Sequence, residues 1–522
     1  MRTSSRVVLG AAAGVALVTI AARVVGFGRT AVLARTVGAT CVGDTYQIAN
    51  YVPNVMFEVV AGGALASLVV PVLAVAAASG DRATTSRTAS ALLSWTVVLL
   101  VPVAVLGALL APQILRVIYG EDPTCAGAVE TGSRMLVVFM PQVVLYGIAV
   151  VLVGVIQAHR RFLGPALAPL LSSVVVIAAY LAYAARGAVT DLDELSRGSE
   201  LVLSVGTTLG VAVLSLGLLV PLRGCGVRLR PTWSFPPGVA ARIRRLAGSG
   251  MAGLVAQQLA LLVALRLLGT GSRGSVIVFA TATALFLLPW SVLAVPLATT
   301  AFPGLTTSAE TGDTAGYAAQ ASRSLRSLLL AMTGAAAVLA VVAAPVAGLL
   351  VRGAPGAESS AALADATVAF APGLVGYGLV ALLSRALYAR GDARTPAVAI
   401  VLGWLVVAVT DVVLVATVPD VERVVLLGLG NTAGMTLAGL LLLLGLGRAS
   451  GGPAFTGAAR SGAVGLLGAL SAYAVGALVP LPDPGPWADL SGAAGTAVLA
   501  GFVFLGVVRL LDPDGLRGLL RA

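Results

Sequence analysis

Apolar runs of about twenty residues or more follow one another along the whole chain, separated by short polar stretches rich in arginine. A run of that length crosses a hydrocarbon layer of about 30 Å as an α-helix. Lipid offers no partners to the backbone, so each span must satisfy its own amides, which a helix does. The shorter, alternating segments of a membrane barrel are absent. The pattern predicts fourteen spans, at about 7–27, 46–78, 89–110, 133–156, 163–185, 200–222, 246–269, 276–303, 325–351, 366–389, 395–416, 424–447, 461–480 and 488–511. The predicted fold class is an all-α polytopic membrane protein. The first run follows Arg2 and Arg6 as a signal peptide would, but no small-residue cleavage pattern precedes Arg23 and Arg29, so a retained helix is expected.

The pattern also repeats. Phe139-x-Pro141-x4-Tyr146-Gly147 recurs 231 residues later as Phe370-x-Pro372-x4-Tyr377-Gly378. In the same register Gln157-Ala158-His159 faces Tyr388-Ala389-Arg390, and Pro165-Ala166-x-Ala168 faces Pro396-Ala397-x-Ala399. Pro71-Val72-Leu73 with Gly80-Asp81 matches Pro303-Gly304-Leu305 with Gly312-Asp313 at an offset of 232. Such an offset spans six helices, an even number, so the two copies are expected to run in the same direction. Parallel repeats of this kind build two-lobed alternating-access transporters. The expected organisation is an N-lobe over 1–225 (spans 1–6), an Arg-rich cytoplasmic linker over 226–245, a C-lobe over 246–447 (spans 7–12), and an appendage of spans 13 and 14 over 448–522.

Charge orients the chain. Basic residues concentrate in cytoplasmic loops, and with the N-terminus inside, Arg82, Arg87, Arg160, Arg161, Arg390, Arg394, Arg448, Arg460 and the Arg223–Arg245 stretch all fall on the inner side. Glu121, Asp122, Asp191, Asp193, Glu194, Glu358, Asp420, Glu422, Asp483 and Asp489 fall outside. Both termini are therefore expected in the cytoplasm of a bacterial cell, with the chain in the inner membrane.

Composition narrows the function. The chain is 58% hydrophobic and 11% charged, against about a quarter charged in soluble domains. Its net charge of +11 is spread over topology-setting loops, which does not suggest nucleic acid. Lysine is absent from all 522 residues, which excludes a P-loop and Schiff-base chemistry. No His/Cys cluster suggests a metal, no Ser/His/Asp set suggests catalysis, and no cofactor motif is present. The drive for any transport would then be an ion gradient, the membrane potential or downstream consumption. Cys41, Cys125 and Cys225 lie in separate loops; the first two fall on the same outer side, but a disulfide is not expected.

Several motifs carry a resemblance. Ala22-Arg23-Val24-Val25-Gly26-Phe27-Gly28-Arg29, Ala34-Arg35-x2-Gly38-Ala39, Asp44, Pro53-Asn54, Gly63-Ala64-Leu65 and Val70-Pro71 stand in that order. Gln157-Ala158-His159-Arg160-Arg161-Phe162 with Pro165-Ala166-x-Ala168-Pro169 follows, then Tyr388-Ala389-Arg390-Gly391-Asp392-x-Arg394-Thr395-Pro396. Together they resemble the MurJ/MviN family of lipid II flippases, within the multidrug/oligosaccharidyl-lipid/polysaccharide exporter superfamily, over roughly 15–400. The resemblance implies two six-helix lobes plus two helices around a central cationic cavity. It implies as substrate an undecaprenyl-diphosphate-linked disaccharide peptide, moved from the inner to the outer leaflet, with membrane lipids, a coupling ion and cell-envelope synthesis proteins as further partners. Departures are visible too: Phe57 or Glu58 replaces an arginine of helix 2, Gly62 a glutamate, and the region of Ala284 an arginine of helix 8. Alternatives are an exporter of another lipid-linked glycan, a drug/cation antiporter, or a non-transporting scaffold of the cell envelope.

The site residues expected to contact substrate are Arg23, Arg29, Asp44, Asn54 and Glu58. Charges inside a membrane are expensive and usually face the protein interior, and an arginine fork suits two phosphate oxygens; the bland alternative is snorkelling to the headgroups. Arg35 reads as a headgroup anchor. Gln47, Asn50 or Tyr51, Asn54 and Glu58 recur every three or four residues, so they share one helix face, which should line a cavity. Glu58 is expected to pair with Arg23 or Arg29; the alternative is a static ion pair. Asp44 reads either as part of the outer mouth or as a helix N-cap. Arg134, Arg266, Arg385 and Asp411 near span ends read as interfacial, Gln257 and Gln258 as cavity-facing, and His159 as a headgroup contact. Pro53, Pro71, Pro141, Pro289, Pro296 and Pro372 mark bending points or simple tolerance of proline in membrane helices.

Overall fold

Twelve helices among the described residues are long and apolar enough to cross a membrane, or thirteen if the pair Ala357–Phe370 and Gly373–Ala389, bent by 45°, is counted as one span. The computed structural model describes residues 2–62, 73, 82–120, 123–235, 251–450, 452–479 and 485–521. The expected span 46–78 is helical as far as residue 62, and most of its remainder lies outside the described residues. So do Gly63-Ala64-Leu65, Val70-Pro71, Asp81, Glu121, Asp122, Asp483 and the linker from Pro236 to Arg245.

The helices are α1 (Arg2–Thr36), α2 (Cys41–Phe57), α3 (Arg82–Leu109), α4 (Ala111–Tyr119), α5 (Ala128–Phe139), α6 (Pro141–Ala158), α7 (Leu163–Ala184), α8 (Arg197–Leu216) and α9 (Leu219–Arg223). After them come α10 (Met251–Gly269), α11 (Ser275–Pro289), α12 (Val295–Glu310), α13 (Thr314–Val341), α14 (Ala343–Val351), α15 (Ser360–Phe370) and α16 (Gly373–Ala389). The last are α17 (Arg394–Thr417), α18 (Arg423–Ser450), α19 (Ala458–Ala477), α20 (Pro486–Leu511) and α21 (Pro513–Arg521). The chain forms two compact units, Met1–Gln258 and Leu259–Ala522.

The repeat is present in the elements themselves. Arg82 and Thr314 open α3 and α13, Leu109 and Val341 close them, and both pairs are 232 residues apart. A five-residue π-helical turn follows α2 at Glu58–Gly62, and another follows α11 at Trp290–Ala294, again 232 residues on. Packing repeats as well. Tyr46 meets Phe139 in the first unit as Phe279 meets Phe370 in the second. Phe57 meets Tyr146 as Trp290 meets Tyr377. The motif glycines explain the close approach: a Cβ on Gly147 would strike Thr96 and Leu100, and one on Gly378 would strike Met332.

One turn shows a difference between the copies. Gly391 closes α16 with φ of 79°, and its repeat partner Arg160, after α6, adopts φ of 56°. Glycine takes this left-handed conformation freely, whereas an L side chain pays about 1–2 kcal/mol. In the following loop the Thr395 hydroxyl and the N–H groups of Thr395 and Arg394 hold the Asp392 carboxyl below its usual pKa.

Several expectations need correction. The first helix runs from Arg2 to Thr36, past the expected end at 27, and its Leu17–Thr36 part meets the criteria for a span; Gly26 and Gly28 stay helical, so Arg29 and Arg35 are carried on the helix. Cys41 and Cys125 are joined in a disulfide with Cα atoms 5.6 Å apart, 84 residues apart in sequence. Their shared outer side was a weak hint; the pairing itself depends on the fold, which brings the start of α2 beside the turn before α5. Arg134 is not merely interfacial: it bridges Glu130 and the buried Glu200 at 2.8 Å each. Asp411 is 1% exposed and therefore no interfacial group.

Residues 224–235 do not hang free after α9. The N–H groups of Arg228, Arg230 and Thr232 donate to the hydroxyls of Ser86, Ser90 and Ser94 at 3.2, 3.0 and 3.2 Å. Four residues of helix rise about 6.0 Å and two of extended chain about 6.6 Å, so the ladder stays in step for three rungs. Pro231, which has no N–H, falls between rungs where none is needed. Val227, Leu229 and Phe235 pack on the core of α6.

The second unit's last two spanning helices are clamped at both ends. Arg326 of α13 holds Asp512 at 3.0 Å, and Arg352 after α14 holds Asp489 at 3.0 Å. Between these clamps Phe504 and Val508 of α20 and Val464 and Ala472 of α19 pack on Leu330 and Ala337 of α13.

Candidate functional site

Helix α2 begins at Thr40, whose hydroxyl accepts the N–H of Gly43 at 3.1 Å. Asp44 is therefore not the N-cap. It lies in the first turn and is 5% exposed, beside the pair in which the Tyr119 hydroxyl donates to Thr45 at 3.3 Å.

The burial pattern of α2 follows its chemistry. Ile48, Ala49, Val52, Pro53, Val55 and Phe57 are buried, whereas Gln47, Asn50, Tyr51, Asn54 and Glu58 are half-buried. The polar face expected from spacing is thus the accessible face. Exposure of three amides and a carboxylate to hydrocarbon would cost several kcal/mol, which favours water on this face of the first unit. Asn54 donates to the carbonyl of Asn50 at 2.8 Å, and the Asn50 side-chain oxygen has no partner among the described residues. Glu58 opens the π turn. Such turns aim side chains away from the regular helical register and recur at functional sites.

Arg23 and Arg29 are both exposed on α1. Six residues separate them, so they point about 120° apart on the helix. Tyr46 is fixed by hydrogen bonds of 2.8 Å to Tyr180 and 2.7 Å to Thr207. The expected ion pair of Glu58 with Arg23 or Arg29 does not form among the described residues. Both guanidinium groups are left without a described carboxylate partner, which suits them to an anion brought from outside.

Gln258, the last residue of the first unit, is buried, and Gln257 is half-buried. Thr281 and Ala282, near the position of the missing helix-8 arginine, are buried. Asp411 of α17 is the residue that sequence reasoning placed wrongly. One of its carboxylate oxygens has no hydrogen bond among the described residues, nor has the Asn431 amide nitrogen on α18. Gly430 leaves the space that the carboxylate fills, since a Cβ there would collide with Asp411.

Comparison with known proteins decides the family. The family model described as lipid II flippase MurJ matches residues 33–479. The chain belongs to the MurJ family. A lipid II flippase MurJ of Burkholderia cenocepacia is 28% identical over 438 residues, covering 82% of this chain and 81% of that one. A probable lipid II flippase MurJ of Vibrio cholerae is 25% identical over 393 residues, covering 73% of each. The fold agrees with a solved structure of lipid II flippase MurJ in an inward closed conformation, at a TM-score of 0.76 and 15% identity over 96% of this chain and 99% of that one. It also agrees with an inward-facing multidrug resistance MATE transporter of the MOP superfamily, at a TM-score of 0.69 and 14% identity over 83% and 98%. At these identities the two structures speak for the fold alone. Asp44, Asn54 and Glu58 lie inside the stretch matched by the MurJ family model, whereas Arg23 and Arg29 precede it.

Proposed function

We propose that the chain is a flippase that carries lipid II, an undecaprenyl-diphosphate-linked peptidoglycan precursor, from the inner to the outer leaflet by alternating access. The observation that carries this reading is the MurJ-family match over 33–479, together with the relatives named lipid II flippase over most of their lengths. The diphosphate is assigned to Arg23 and Arg29, whose exposed guanidinium groups suit phosphate oxygens. Asn54 and Glu58 line the water-facing side of α2, and Asp44, in the first turn of that helix, is assigned to the outer mouth. Arg-rich loops place both termini in the cytoplasm of the inner membrane, with lobes, linker and appendage divided as in the sequence reading.

Asp411 is the group we assign to energy coupling. A buried carboxylate with an unsatisfied oxygen in a membrane span is costly and therefore functional by default. It would take up a proton or a small cation. The membrane potential, negative inside, adds about 2.3 kcal/mol per anionic charge per 100 mV moved outward.

Rescue of a bacterium depleted of its own lipid II flippase tests the proposal. Growth restored by the chain, and not by Asp411→Asn or Arg23→Ala at equal membrane levels, is the expected result. Failure of the intact chain to rescue, with normal insertion, would turn the reading towards an exporter of another glycolipid or a non-transporting scaffold.

A further inference from the structure

A cavity of about 660 Å³ opens in the second unit between α12, α13 and the terminal helix α21. Arg323 and Arg326 of α13 and Arg517 of α21 project into its wall, with Gln320, Ser324 and Thr300 beside them. Helix α13 has 28 residues and is about 42 Å long, longer than the hydrocarbon layer of about 30 Å. The span expected from hydropathy in this stretch begins at residue 325 and runs through α14 to 351, so Arg323 and Arg326 stand at its end, at the level of the headgroups. Helix α21 lies across them, held by Leu516 and Leu519 against the core that includes Phe504, while Leu520 is 77% exposed. One apolar edge in the protein and one facing outward is the habit of an interfacial helix.

The three guanidinium groups are unequal in a useful way. Arg326 is fixed, its Nε donating to Ser461 at 3.1 Å and one Nη to Asp512 at 3.0 Å. Its other Nη has no bond to a described residue. Arg323 is exposed and pairs with no described acid. Arg517 pairs only with Asp514, at 3.3 Å, with both side chains more than 70% exposed; such a pair contributes little and yields to a stronger anion. The wall thus offers one preorganised cation and two that can close on a ligand, with the hydroxyl groups of Ser324 and Ser327 and the single carboxylate of Asp514 in the same wall.

We propose that this cavity is a phosphate-recognition site at the membrane surface, built for the phosphodiester of an anionic phospholipid or for a free phosphate of the same chemistry. Its lining residues belong to the second unit, Arg23 and Arg29 to the first. A ligand there would tie α21 to α13 and brace the end of the unit that carries α19 and α20.

The full-length chain, purified in mild detergent, is exposed to phosphatidylglycerol or phosphatidylcholine of equal chain length, and the retained lipid is counted by native mass spectrometry. The exposed side chains of Arg323 and Arg517 can be replaced without opening the core, so the variant is Arg323→Gln with Arg517→Gln. Arg448→Gln, exposed elsewhere in the same unit, is the control. Preferential retention of phosphatidylglycerol, weakened roughly thirtyfold in the double variant and unchanged in the control, is expected from about one unit of charge attraction per arginine. Displacement of the lipid by millimolar inorganic phosphate, with the same dependence on both arginines, would assign the site to a free anion; resistance to it would assign a lipid headgroup. Equal retention of the two lipids, or binding of phosphatidylglycerol and phosphate that ignores the double variant, would overturn the proposal.

Discussion

Arg326 and Asp512 stand 3.0 Å apart, and Ser461 hydrogen-bonds to both of them. The three residues come from α13, α19 and the end of α20, so one contact joins the last two spanning helices to the unit. Burial alone would raise the pKa of Asp512. The Ser461 hydroxyl, the Gly515 N–H and the Arg326 guanidinium outweigh it and hold the carboxyl below its ordinary 3.8. A depressed folded-state pKa stabilises the fold above the unfolded value and loses that contribution as pH falls through the folded one.

Two results follow for this clamp. Thermal unfolding of the detergent-solubilised chain should lose stability as pH drops below about 4, and Asp512→Asn should flatten that dependence. At neutral pH, Asp512→Asn should cost about 3 kcal/mol, because it leaves a partly buried guanidinium without its counter-charge. Equal melting curves at neutral pH would contradict the assigned role of the pair.

Arg160→Gly should stabilise the first unit. The left-handed conformation of Arg160, at φ 56°, is the one its repeat partner fills with Gly391. Relief of that strain, less the greater freedom of glycine in the unfolded chain, is worth about 0.5–1 kcal/mol. The melting temperature should rise, whereas Gly391→Arg should lower it.

The disulfide can be read directly by mass. Under denaturing, non-reducing conditions one alkyl group should add, at Cys225, and three after reduction, because Cys41 and Cys125 are joined. Cys125→Ser should cost about 2–4 kcal/mol, as expected for a long closed loop, provided that end of the unit matures in an oxidising compartment.

Amide hydrogen exchange tests the ladder on α3. The N–H groups of Arg228, Arg230 and Thr232 should exchange slowly in the intact chain. Ser90→Ala should release mainly Arg230, and replacement of Ser86, Ser90 and Ser94 together should release all three. Unchanged protection in the triple variant would contradict the hydrogen-bonded strap.

Span-length apolar runs made the helices legible, and the prolines and glycines of the repeat made the two copies legible. Those signals are local, so they survive without knowledge of packing. The face of α2 was legible for the same reason: Gln47, Asn50, Asn54 and Glu58 recur at helical spacing. Pairings set by tertiary contact were not. Nothing near Glu200 announces Arg134, and nothing near Asp489 announces Arg352, because each partner lies far away along the chain. Asp411 was misread although its span was placed to within one residue, because its burial comes from α18, where Gly430 leaves room for the carboxylate. One signal was available and missed: Ser86, Ser90 and Ser94 recur every four residues along one face of α3, as a docking strip for another segment would.

The most direct measurement reconstitutes the chain in vesicles carrying labelled lipid II and follows the fraction of headgroups that crosses to the other leaflet. The account predicts crossing with the intact chain and a loss of roughly tenfold or more in Arg23→Ala and in Arg29→Ala, the size of one lost charge-assisted contact. Crossing at the same rate in both variants, with the protein inserted as before, would contradict it.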